Sequence, residues 1–406
     1  YDAVPGGSGY LRQLADNPAA MKAVVQNAFQ ALDQCPCAQQ DKTGCYRCVK
    51  PYRSQFGPGE PDRDLARAMM ERVLDQWDTL SKSTSALDTE LSNSLIRSEL
   101  ESLFISSLSK LEGCLLGLAV GDALGCTLEF KKPNTFEPIS TIVGGGYHKL
   151  EAGQWTDDTS MALCLAQSLI DCKGFDAKDQ MLKYCKWYDE GYMSSTGECF
   201  DIGNTTLKAL DDFVIYGKPY STNTDESSAG NGSIMRLAPI PMYYYQEPQE
   251  ALKYASKSSQ VTHANEMCVD ACRYMAGIIV GLLNGESKET VLSSLYSPVE
   301  NYFTNEPLCD AIKEVASGSF KIKQPPEIKG TGFVVESLEA ALWAFYHADN
   351  FREGALKAVN LGDDADTTGA VYGQIAGAIY DIPQNWLQVI SMREKITEIS
   401  KQLLHT

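Results

Sequence analysis

Two stretches of the chain carry glycine at every fourth position, and this spacing restricts the fold more than any other feature. The first series is Gly113, Gly117 and Gly121, and the second is Gly369, Gly373 and Gly377. Residues four apart share one face of a helix, so each series predicts a face where another helix backbone can approach closely. Each glycine costs a helix about 1 kcal/mol relative to alanine, which favours a packing purpose. We predict two central helices in mutual contact that bring residues 122–129 and the turn 363–367 toward one cleft.

Helical periodicity dominates the sequence from residue 108 onward, and strong strand patterns are few. The stretch IVGGGYHKL at 142–150 is an exception and predicts a short extended loop. We therefore expect a compact all-α domain of about a dozen helices over residues 108–406.

Two acidic phrases open predicted helices. GDDADTTGA at 362–370 contains Asp363, Asp364, Asp366, Thr367 and Thr368, and WTDDTSMAL at 155–163 contains Thr156, Asp157 and Asp158. Capping explains either phrase alone, because Asp and Thr are common at helix N-termini. Three acids within four positions exceed what one helix start can use, and uncompensated carboxylates repel each other. Because Mg²⁺ and Mn²⁺ prefer carboxylate and hydroxyl oxygens, the two phrases together predict a site for hard divalent cations.

Four cysteines near the start of the chain have the spacing C-x-C-x₇-C-x₂-C, and they are Cys35, Cys37, Cys45 and Cys48. Two close pairs across a short loop predict one structural Zn²⁺, with unrelated free thiols as the alternative. Other cysteines lie in apolar helical runs, among them Cys114, Cys164 and Cys272. That pattern is typical of buried free thiols in a reducing compartment, so we expect a cytoplasmic protein.

Composition divides the chain unevenly. The formal charge is −18, but residues 1–80 carry nine Lys and Arg against ten Asp and Glu, which leaves −17 for residues 81–406. A generic nucleic-acid surface is therefore not expected on the larger part. We predict a small, mostly helical module at 1–80, a linker and connecting helix at 81–107, and the main domain at 108–406. No signal peptide and no apolar run of membrane-spanning length is apparent, so no membrane partner is expected.

Six phrases occur in a fixed order along the main domain: LEGCLLGLAVGDALGCTLEF, WTDDTSMAL, FDIGNTT, AGNGSIMRLAPIP, THAN and LGDDADTTGAVYGQIAGA. In this order they resemble the ADP-ribosylglycohydrolase family, especially its dinitrogenase-reductase-activating branch, over residues 108–405. The resemblance implies an orthogonal, multi-helix all-α fold. It also implies a hydrolase that releases ADP-ribose from a modified acceptor, with arginine on a protein as the expected linkage.

The resemblance implies two Mg²⁺ or Mn²⁺ ions held by residues of both acidic phrases. The implied ligands are Thr156, Asp157, Asp158, Asp364, Asp366 and Thr367. Asp363 is a weaker candidate for a metal ligand, because the family often tolerates other residues at that position. A two-metal site can bind the ribose diol, polarise a C–O bond and activate water at neutral pH, as cleavage at the anomeric carbon requires.

Two further carboxylates are candidates for proton transfer. Asp201 and Asn204 in FDIGNTT are three residues apart, and on a helix they would share a face. The resemblance makes Asp201 a catalytic candidate and Asn204 a substrate contact, while the alternative is a helix N-cap followed by an ordinary helical Asn. It also places Glu129 near the metals and the substrate, as the second catalytic candidate.

A small-residue loop is the candidate binding site for the diphosphate and ribose. Its residues are Gly230, Asn231, Gly232 and Ser233, with Ser228 just before them. Such a loop can present backbone N–H groups to an anion, although a short glycine-containing segment can also be a simple turn. The resemblance adds His263 as a contact to ADP-ribose and Phe333 as a residue that shapes the adenine end. The alternative for His263 is a satisfied, partly buried histidine.

The chain begins YDAVPGGSGYLRQL and continues to the cysteine phrases CPC and GCYRC. With these phrases the first 80 residues resemble the cysteine-cluster module at the end of some MrfA-type DEAD/DEAH-box helicases. No phosphate loop of the form GxxxxGK[ST] occurs in the chain, so the helicase motor is absent. The chain begins YDAVPGG, which suggests a fragment of a longer polypeptide with a helicase region as partner. Two alternatives to the leading function stay open. One is an immunity or binding protein that blocks an ADP-ribosylating toxin, and the other is a hydrolase that the module directs to ADP-ribosylated DNA.

Overall fold

The computed structural model describes residues 110–405, together with Gln26 and Gln30. The chain divides into two units, Tyr1–Ser106 and Ser107–Thr406, and residues 110–405 belong to the second. The predicted module at 1–80 and the predicted linker at 81–107 therefore lie outside the described residues, apart from the two glutamines. Within residues 110–405 no helix has both the length and the apolar character needed to cross a membrane.

The second unit is all-α over its described residues, as the sequence predicted. Its helices are α1 (110–125), α2 (Asp157–Cys172), α3 (Ala177–Glu190), α4 (Asn204–Tyr216), α5 (Pro239–Tyr243), α6 (Pro248–Gln260), α7 (Glu266–Leu283), α8 (Lys288–Val291), α9 (Tyr302–Asn305), α10 (Asp310–Ala316), α11 (Val334–Tyr346), α12 (Phe351–Val359), α13 (Ala365–Ala376), α14 (Gln384–Leu387) and α15 (Arg393–His405). Two 3₁₀ turns lie at Glu226–Ser228 and Ser319–Lys321. Extended pairing in residues 110–405 is limited to two isolated bridges, one of which, Gly145 with Leu150, shapes the predicted loop 142–150.

The two glycine series lie against each other and run antiparallel, which confirms the predicted contact between α1 and α13. A Cβ atom added to Gly113 would lie 2.0 Å from the carbonyl oxygen of Gly377, and one added to Gly121 would lie 2.0 Å from that of Gly369. We call this contact between α1 and α13 the seam. In its middle, a Cβ atom added to Gly117 would lie 2.2 Å from the carbonyl oxygen of Gly373. Any side chain at these positions would collide with backbone atoms, so the glycines allow the two helices to touch.

A buried glutamine ties the centre of α13 to the segment that follows the glycine loop. The Gln374 side-chain oxygen accepts a hydrogen bond from the Ala238 N–H at 2.7 Å. Its amide nitrogen donates to the carbonyl oxygens of Ile234 and Met235 at 3.0 and 2.7 Å. Because Gln374 is fully buried, these bonds fix the loop relative to the same helix that carries the acidic turn.

Three cysteines singled out from the sequence, Cys114, Cys164 and Cys272, are buried free thiols. They lie on the helices α1, α2 and α7, inside the main hydrophobic core. Burial raises the pKa of each thiol well above its ordinary value, so they stay protonated and unreactive.

Candidate active site

One cavity of about 510 Å³ brings together carboxylates from four separate segments of the chain. These carboxylates belong to Glu129, Asp157, Asp201, Asp364 and Asp366. The other predicted site residues on the cavity wall are Asn204, Gly230, Asn231, Gly232, His263 and Thr367. Thr156, Asp158, Ser228 and Ser233 do not line the cavity, and all four are buried.

The two acidic helix starts meet directly beneath this cavity. The Thr367 hydroxyl donates to Asp158 Oδ1 at 3.2 Å, and the Thr156 hydroxyl lies 3.3 Å from Asp366 Oδ2. Each contact joins the start of α2 to the start of α13, although the residues are more than two hundred positions apart in the sequence. The structure therefore brings together the two phrases that the sequence paired.

Simple capping does not explain these phrases. Thr156 and Asp364 occupy the N-cap positions of α2 and α13, yet neither side chain makes a capping hydrogen bond. Asp122 of α1 caps α2 instead. Its Oδ1 accepts from the Thr156 N–H at 2.9 Å, and its Oδ2 accepts from the Thr159 N–H and hydroxyl at 3.1 and 2.6 Å. Thr156 and Asp364 are thus not used as caps of their own helices.

The donor atoms present fit a divalent cation. Asp122, Asp158 and Asp366 each offer one oxygen, and these three atoms lie within 4.8 Å of one another. Asp158 Oδ2 and Asp366 Oδ1 are buried and have no hydrogen-bond partner among the described residues. Burial, reinforced by neighbouring carboxylates, raises the pKa of both Asp158 and Asp366 well above the ordinary value. Buried carboxylate oxygens without partners are the ligands that hard cations prefer, and a bound cation would relieve this repulsion.

Glu129, Asp201 and His148 form a second polar cluster at the cavity. His148 Nε2 lies 3.1 Å from Asp201 Oδ1 and 3.6 Å from Glu129 Oε2. Burial, followed by the charges of Asp201 and Asp364, raises the pKa of Glu129 to about 9. Burial also raises the pKa of Asp201 above its ordinary value, and His148 and a hydrogen bond from Glu129 make this rise smaller. The cluster therefore keeps Glu129 protonated beside an Asp201 that ionises more readily.

Asp201 and Asn204 both reach the cavity, but for a different reason from the one predicted. Helix α4 begins at Asn204 and its N-cap is Gly203, so Asp201 lies outside the helix and is not its cap. Asp201 adopts a left-handed backbone conformation, with φ of 61°. This conformation is uncommon for residues other than glycine and is often found at functional sites. The prediction that helical spacing aligns the two residues was wrong, because a turn aligns them.

The segment that carries Glu129 is held against the acidic turn by backbone pairing. The Phe130 N–H donates to the Asp363 carbonyl oxygen, and the Asp363 N–H donates to the Lys131 carbonyl oxygen, both at 2.7 Å. Asp363 itself is exposed and left-handed, with φ of 61°. Its position explains its weaker claim as a metal ligand, because it shapes the turn while Asp364 and Asp366 face the cavity.

The glycine loop is joined to the segment before α11 and to the acidic turn. Gly230 pairs with Phe333 in an isolated antiparallel bridge, and the Asn231 N–H donates to the Gly332 carbonyl oxygen at 3.0 Å. The Asn231 side-chain amide donates to Asp364 Oδ2 at 2.8 Å. The N–H groups of Gly230 and Gly232 have no acceptor within residues 110–405, so they are available to a ligand.

Ser228, just before the loop, and Ser233, the last residue of the loop, were both predicted to bind substrate, and both are buried. The Ser228 hydroxyl donates to the Asp225 carbonyl oxygen at 2.6 Å, and Ser233 contacts the Cys272 thiol at 3.4 Å. Their neighbour Ser227 lines the cavity instead. Phe333 pairs through its backbone, and its ring is 38% exposed beside Gly332 on the cavity wall.

Several residues near the site were not identified from the sequence. Asp122 carried a usable signal, because a lone carboxylate inside an apolar, glycine-lined helix must find polar partners when it is buried. His148 gave no comparable signal, since it lies in a loop between two recognised phrases. Phe130, Thr206 and Met235 line the cavity as well, but their residue types suggest no particular role.

The four cysteines of the predicted zinc site, Cys35, Cys37, Cys45 and Cys48, lie outside the described residues. Their arrangement is therefore a prediction from spacing and from similarity to a zinc-binding domain.

Comparison with known proteins identifies both parts of the chain. A profile of the ADP-ribosylglycohydrolases matches residues 105–406, and a profile of the MrfA Zn-binding domain matches residues 1–49. ADP-ribosylarginine hydrolase Tri1 of Serratia proteamaculans is 40% identical over 302 residues, which cover 74% of this chain and 80% of that protein. The ADP-ribosyl-[dinitrogen reductase] glycohydrolase of Rhodospirillum rubrum is 29% identical, over 72% of this chain and 93% of that protein.

A solved structure of an ADP-ribosylglycohydrolase-related protein complex has a TM-score of 0.64 to this chain at 40% identity, and the match covers 73% of this chain and 98% of that one. The resemblances inferred from the six phrases and from the cysteine spacing are both confirmed, although the zinc-binding profile ends at residue 49 and not near residue 80. The chain belongs to the ADP-ribosylglycohydrolase family and is a hydrolase of that family.

Proposed function

We propose that this protein removes ADP-ribose from arginine side chains of modified proteins, with two Mg²⁺ or Mn²⁺ ions bound at the two acidic helix starts. The observation that carries the proposal is the single cavity in which five carboxylates face a glycine loop and His263. The arginine linkage is supported by the 40% identity to a protein named ADP-ribosylarginine hydrolase.

The residues that would hold the ions are those of the two phrases, Thr156, Asp157, Asp158, Asp364, Asp366 and Thr367. When bound, such ions supply Lewis-acid polarisation and an activated water. Asp122 lies beside Asp158 and Asp366 and also anchors the start of α2, because its oxygens accept hydrogen bonds from Thr156 and Thr159. Asn231 holds Asp364 through the 2.8 Å hydrogen bond between their side chains.

Glu129 and Asp201 would transfer the proton that moves during the reaction. Hydrolysis forms a bond between a water oxygen and the anomeric carbon, breaks the bond from that carbon to the arginine nitrogen, and leaves a proton to be delivered to that nitrogen. The pair has one carboxyl with a pKa of about 9 and one that ionises more readily, so one proton can move between them. His148 Nε2, at 3.1 Å from Asp201 Oδ1, lies beside the carboxylate that would exchange this proton.

The proposal is tested by incubating the protein and Mg²⁺ with arginine-, serine- and DNA-linked ADP-ribose and measuring free ADP-ribose. We expect release from the arginine linkage. Asp201→Asn should retain ADP-ribose binding, because its shape is preserved, while turnover falls roughly 10²–10⁴-fold, the usual effect of losing a general acid or base. If no linkage is cleaved while ADP-ribose still binds, the protein is a binding module and the proposal fails.

The DNA-linked arm also tests the role of the cysteine-cluster module. ADP-ribose could be released faster from DNA than from arginine, and that release could slow in Cys45→Ser. Both results together would favour a hydrolase directed to nucleic acid. Equal DNA activity in wild type and Cys45→Ser would exclude a targeting role for the module.

A further inference from the structure

Arg236 is buried behind the glycine loop and forms no ion pair with a carboxylate among the described residues. It is 1% exposed, and its guanidinium donates to the Gly232 carbonyl oxygen and, at 2.7 Å, to the Thr262 hydroxyl oxygen. Its guanidinium carbon lies 4.8 Å from the centre of the Tyr184 ring. Burying a cation without a carboxylate partner is unfavourable, so this arrangement calls for a reason beyond stability.

The direction of the hydrogen bond between Thr262 and His263 follows from which neighbouring atoms can donate a hydrogen. Arginine has only donors, so the Thr262 oxygen must accept from Arg236. The Thr262 hydroxyl hydrogen then points to His263 Nδ1, which lies 2.8 Å away. Thr262 is fully buried, and residues 110–405 offer its hydroxyl no other acceptor. A hydrogen on Nδ1 would leave that hydroxyl unsatisfied, so Nδ1 accepts and Nε2 carries the ring hydrogen.

The Nε2 edge of His263 faces the glycine loop. A Cβ atom at Gly232 would lie 3.1 Å from Nε2 and 2.8 Å from the adjacent carbon, and one at Gly230 would lie 3.5 Å from Nε2. Both glycines and His263 line the cavity. Burial, and then the charge of Arg236, lower the pKa of His263 to about 3, which keeps the ring neutral at physiological pH.

The charge distribution indicates which group of a ligand binds here. The cavity wall carries five carboxylates, one of which, Asp364, accepts a hydrogen bond from Asn231 of the loop, and no Lys or Arg among the described residues lines it. An anion is therefore best accommodated at the loop, where two free N–H groups, the His263 donor and the positive field of Arg236 converge.

We propose that Arg236 and Thr262 act as positioning residues that hold His263 as a fixed, neutral Nε2–H donor to the diphosphate of ADP-ribose. This inference rests on the proposed function, because it takes ADP-ribose as the ligand. It assigns no part in bond cleavage to Arg236 or Thr262. A neutral donor held in this way binds the diphosphate equally well across the neutral pH range.

The first measurement is the tautomer of His263 in protein carrying ¹⁵N-labelled histidine. The chain has only four histidines, so the His263 signal can be assigned by its absence in His263→Gln. Wild type should show the hydrogen on Nε2 alone and no titration between pH 5 and pH 8. Thr262→Val, which keeps the shape and removes the hydroxyl, should populate the Nδ1 tautomer, and Thr262→Ser should restore the wild-type signal.

The second measurement is the affinity for ADP-ribose by calorimetry at saturating Mg²⁺. Thr262→Val should weaken binding about tenfold, the effect of misplacing one hydrogen bond to a charged group. Thr262→Ser and the control Ser400→Ala, which removes a buried hydroxyl on α15, should bind like wild type. A wild-type ring protonated on Nδ1, or unchanged affinity in folded Thr262→Val, overturns the inference.

The two proposals fail in distinguishable ways. A wild-type protein that shows the Nε2 tautomer but neither binds ADP-ribose nor releases it refutes the proposed function and, with it, the diphosphate as ligand. Release of ADP-ribose by a protein whose His263 is protonated on Nδ1 refutes only the positioning role. The wild-type tautomer decides this point even where Thr262→Val fails to fold.

Discussion

Replacing Gly117 with alanine tests whether contact between α1 and α13 is a requirement of the fold. The added Cβ atom would lie 2.2 Å from the carbonyl oxygen of Gly373, 3.0 Å from its carbonyl carbon and 3.2 Å from the Phe351 ring. Real Cβ atoms essentially never approach another atom within 3.0 Å, so the helices must separate by at least 0.8 Å, the difference between 3.0 and 2.2 Å. A backbone oxygen within a helix cannot rotate away as a side chain can.

Two losses and one gain set the size of the change. Overpacking a well-packed core costs about 1–3 kcal/mol and occasionally more. A gap of nearly 1 Å also loses about a quarter to a half of the dispersion energy at each contact along the seam. Alanine recovers about 1 kcal/mol through its higher helix propensity. Because the clash is with backbone, we expect a net loss of about 3 kcal/mol in the free energy of unfolding.

The assay is thermal or denaturant unfolding of wild type and variant under the same conditions. A loss of about 3 kcal/mol should lower the melting temperature by roughly 6 °C for a domain of this size. Gly277→Ala is the matched control, because Gly277 also lies in a buried helix but its Cβ atom would meet only side chains, those of Pro298 at 3.2 Å and Leu252 at 4.0 Å. A Gly117→Ala variant as stable as wild type, or no less stable than Gly277→Ala, would refute the role of the seam.

Three other predictions concern charge and metal binding. Asp158→Ala should abolish hydrolysis and the stabilisation by Mg²⁺, while calorimetric melting of the metal-free protein shows equal or higher stability, because the variant removes a buried carboxylate that has one unpartnered oxygen and is repelled by its neighbours. Cys45→Ser should lose the one Zn²⁺ per chain that elemental analysis should find in wild type. The pKa of His263 is lowered from 6.5 to about 3, so the unfolded state binds the proton more readily. The stability that comes from keeping the His263 ring neutral is complete above pH 6.5 and is lost as the pH falls toward 3, by up to about 1.4 kcal/mol per pH unit. Unfolding midpoints measured at pH 7 and pH 5 should therefore differ less in His263→Gln than in wild type.

Local pattern was sufficient for the elements that carry their own signal. The glycine spacing predicted the contact between α1 and α13, because only a face without side chains permits two backbones to touch. The acidic phrases predicted the starts of α2 and α13, and the order of six phrases identified the family. In each case the information lies within a short stretch of sequence or in the order of such stretches.

The sequence was less informative where function depends on the backbone conformation of one residue. Asp201 was expected on a helix with Asn204, but it lies in a left-handed turn before α4. Ser228 and Ser233 were expected at the cavity, but their hydroxyl groups are buried in local contacts. Helical spacing does not hold across the end of a helix, so it could not place Asp201 relative to Asn204. A difference of one residue also decides that Ser227, and not Ser228, lies on the cavity wall.

The sequence by itself determined the all-α class, the two touching helices and the residue types able to bind a cation. Only the tertiary structure decided the partners of those residues. It made Asp122 the cap of α2, placed His148 beside Asp201, and set Arg236 and Thr262 behind His263. These contacts join residues from separate segments of the chain. Whether a buried polar group is free to bind a ligand depends on the partners that folding brings to it, and no local pattern specifies them.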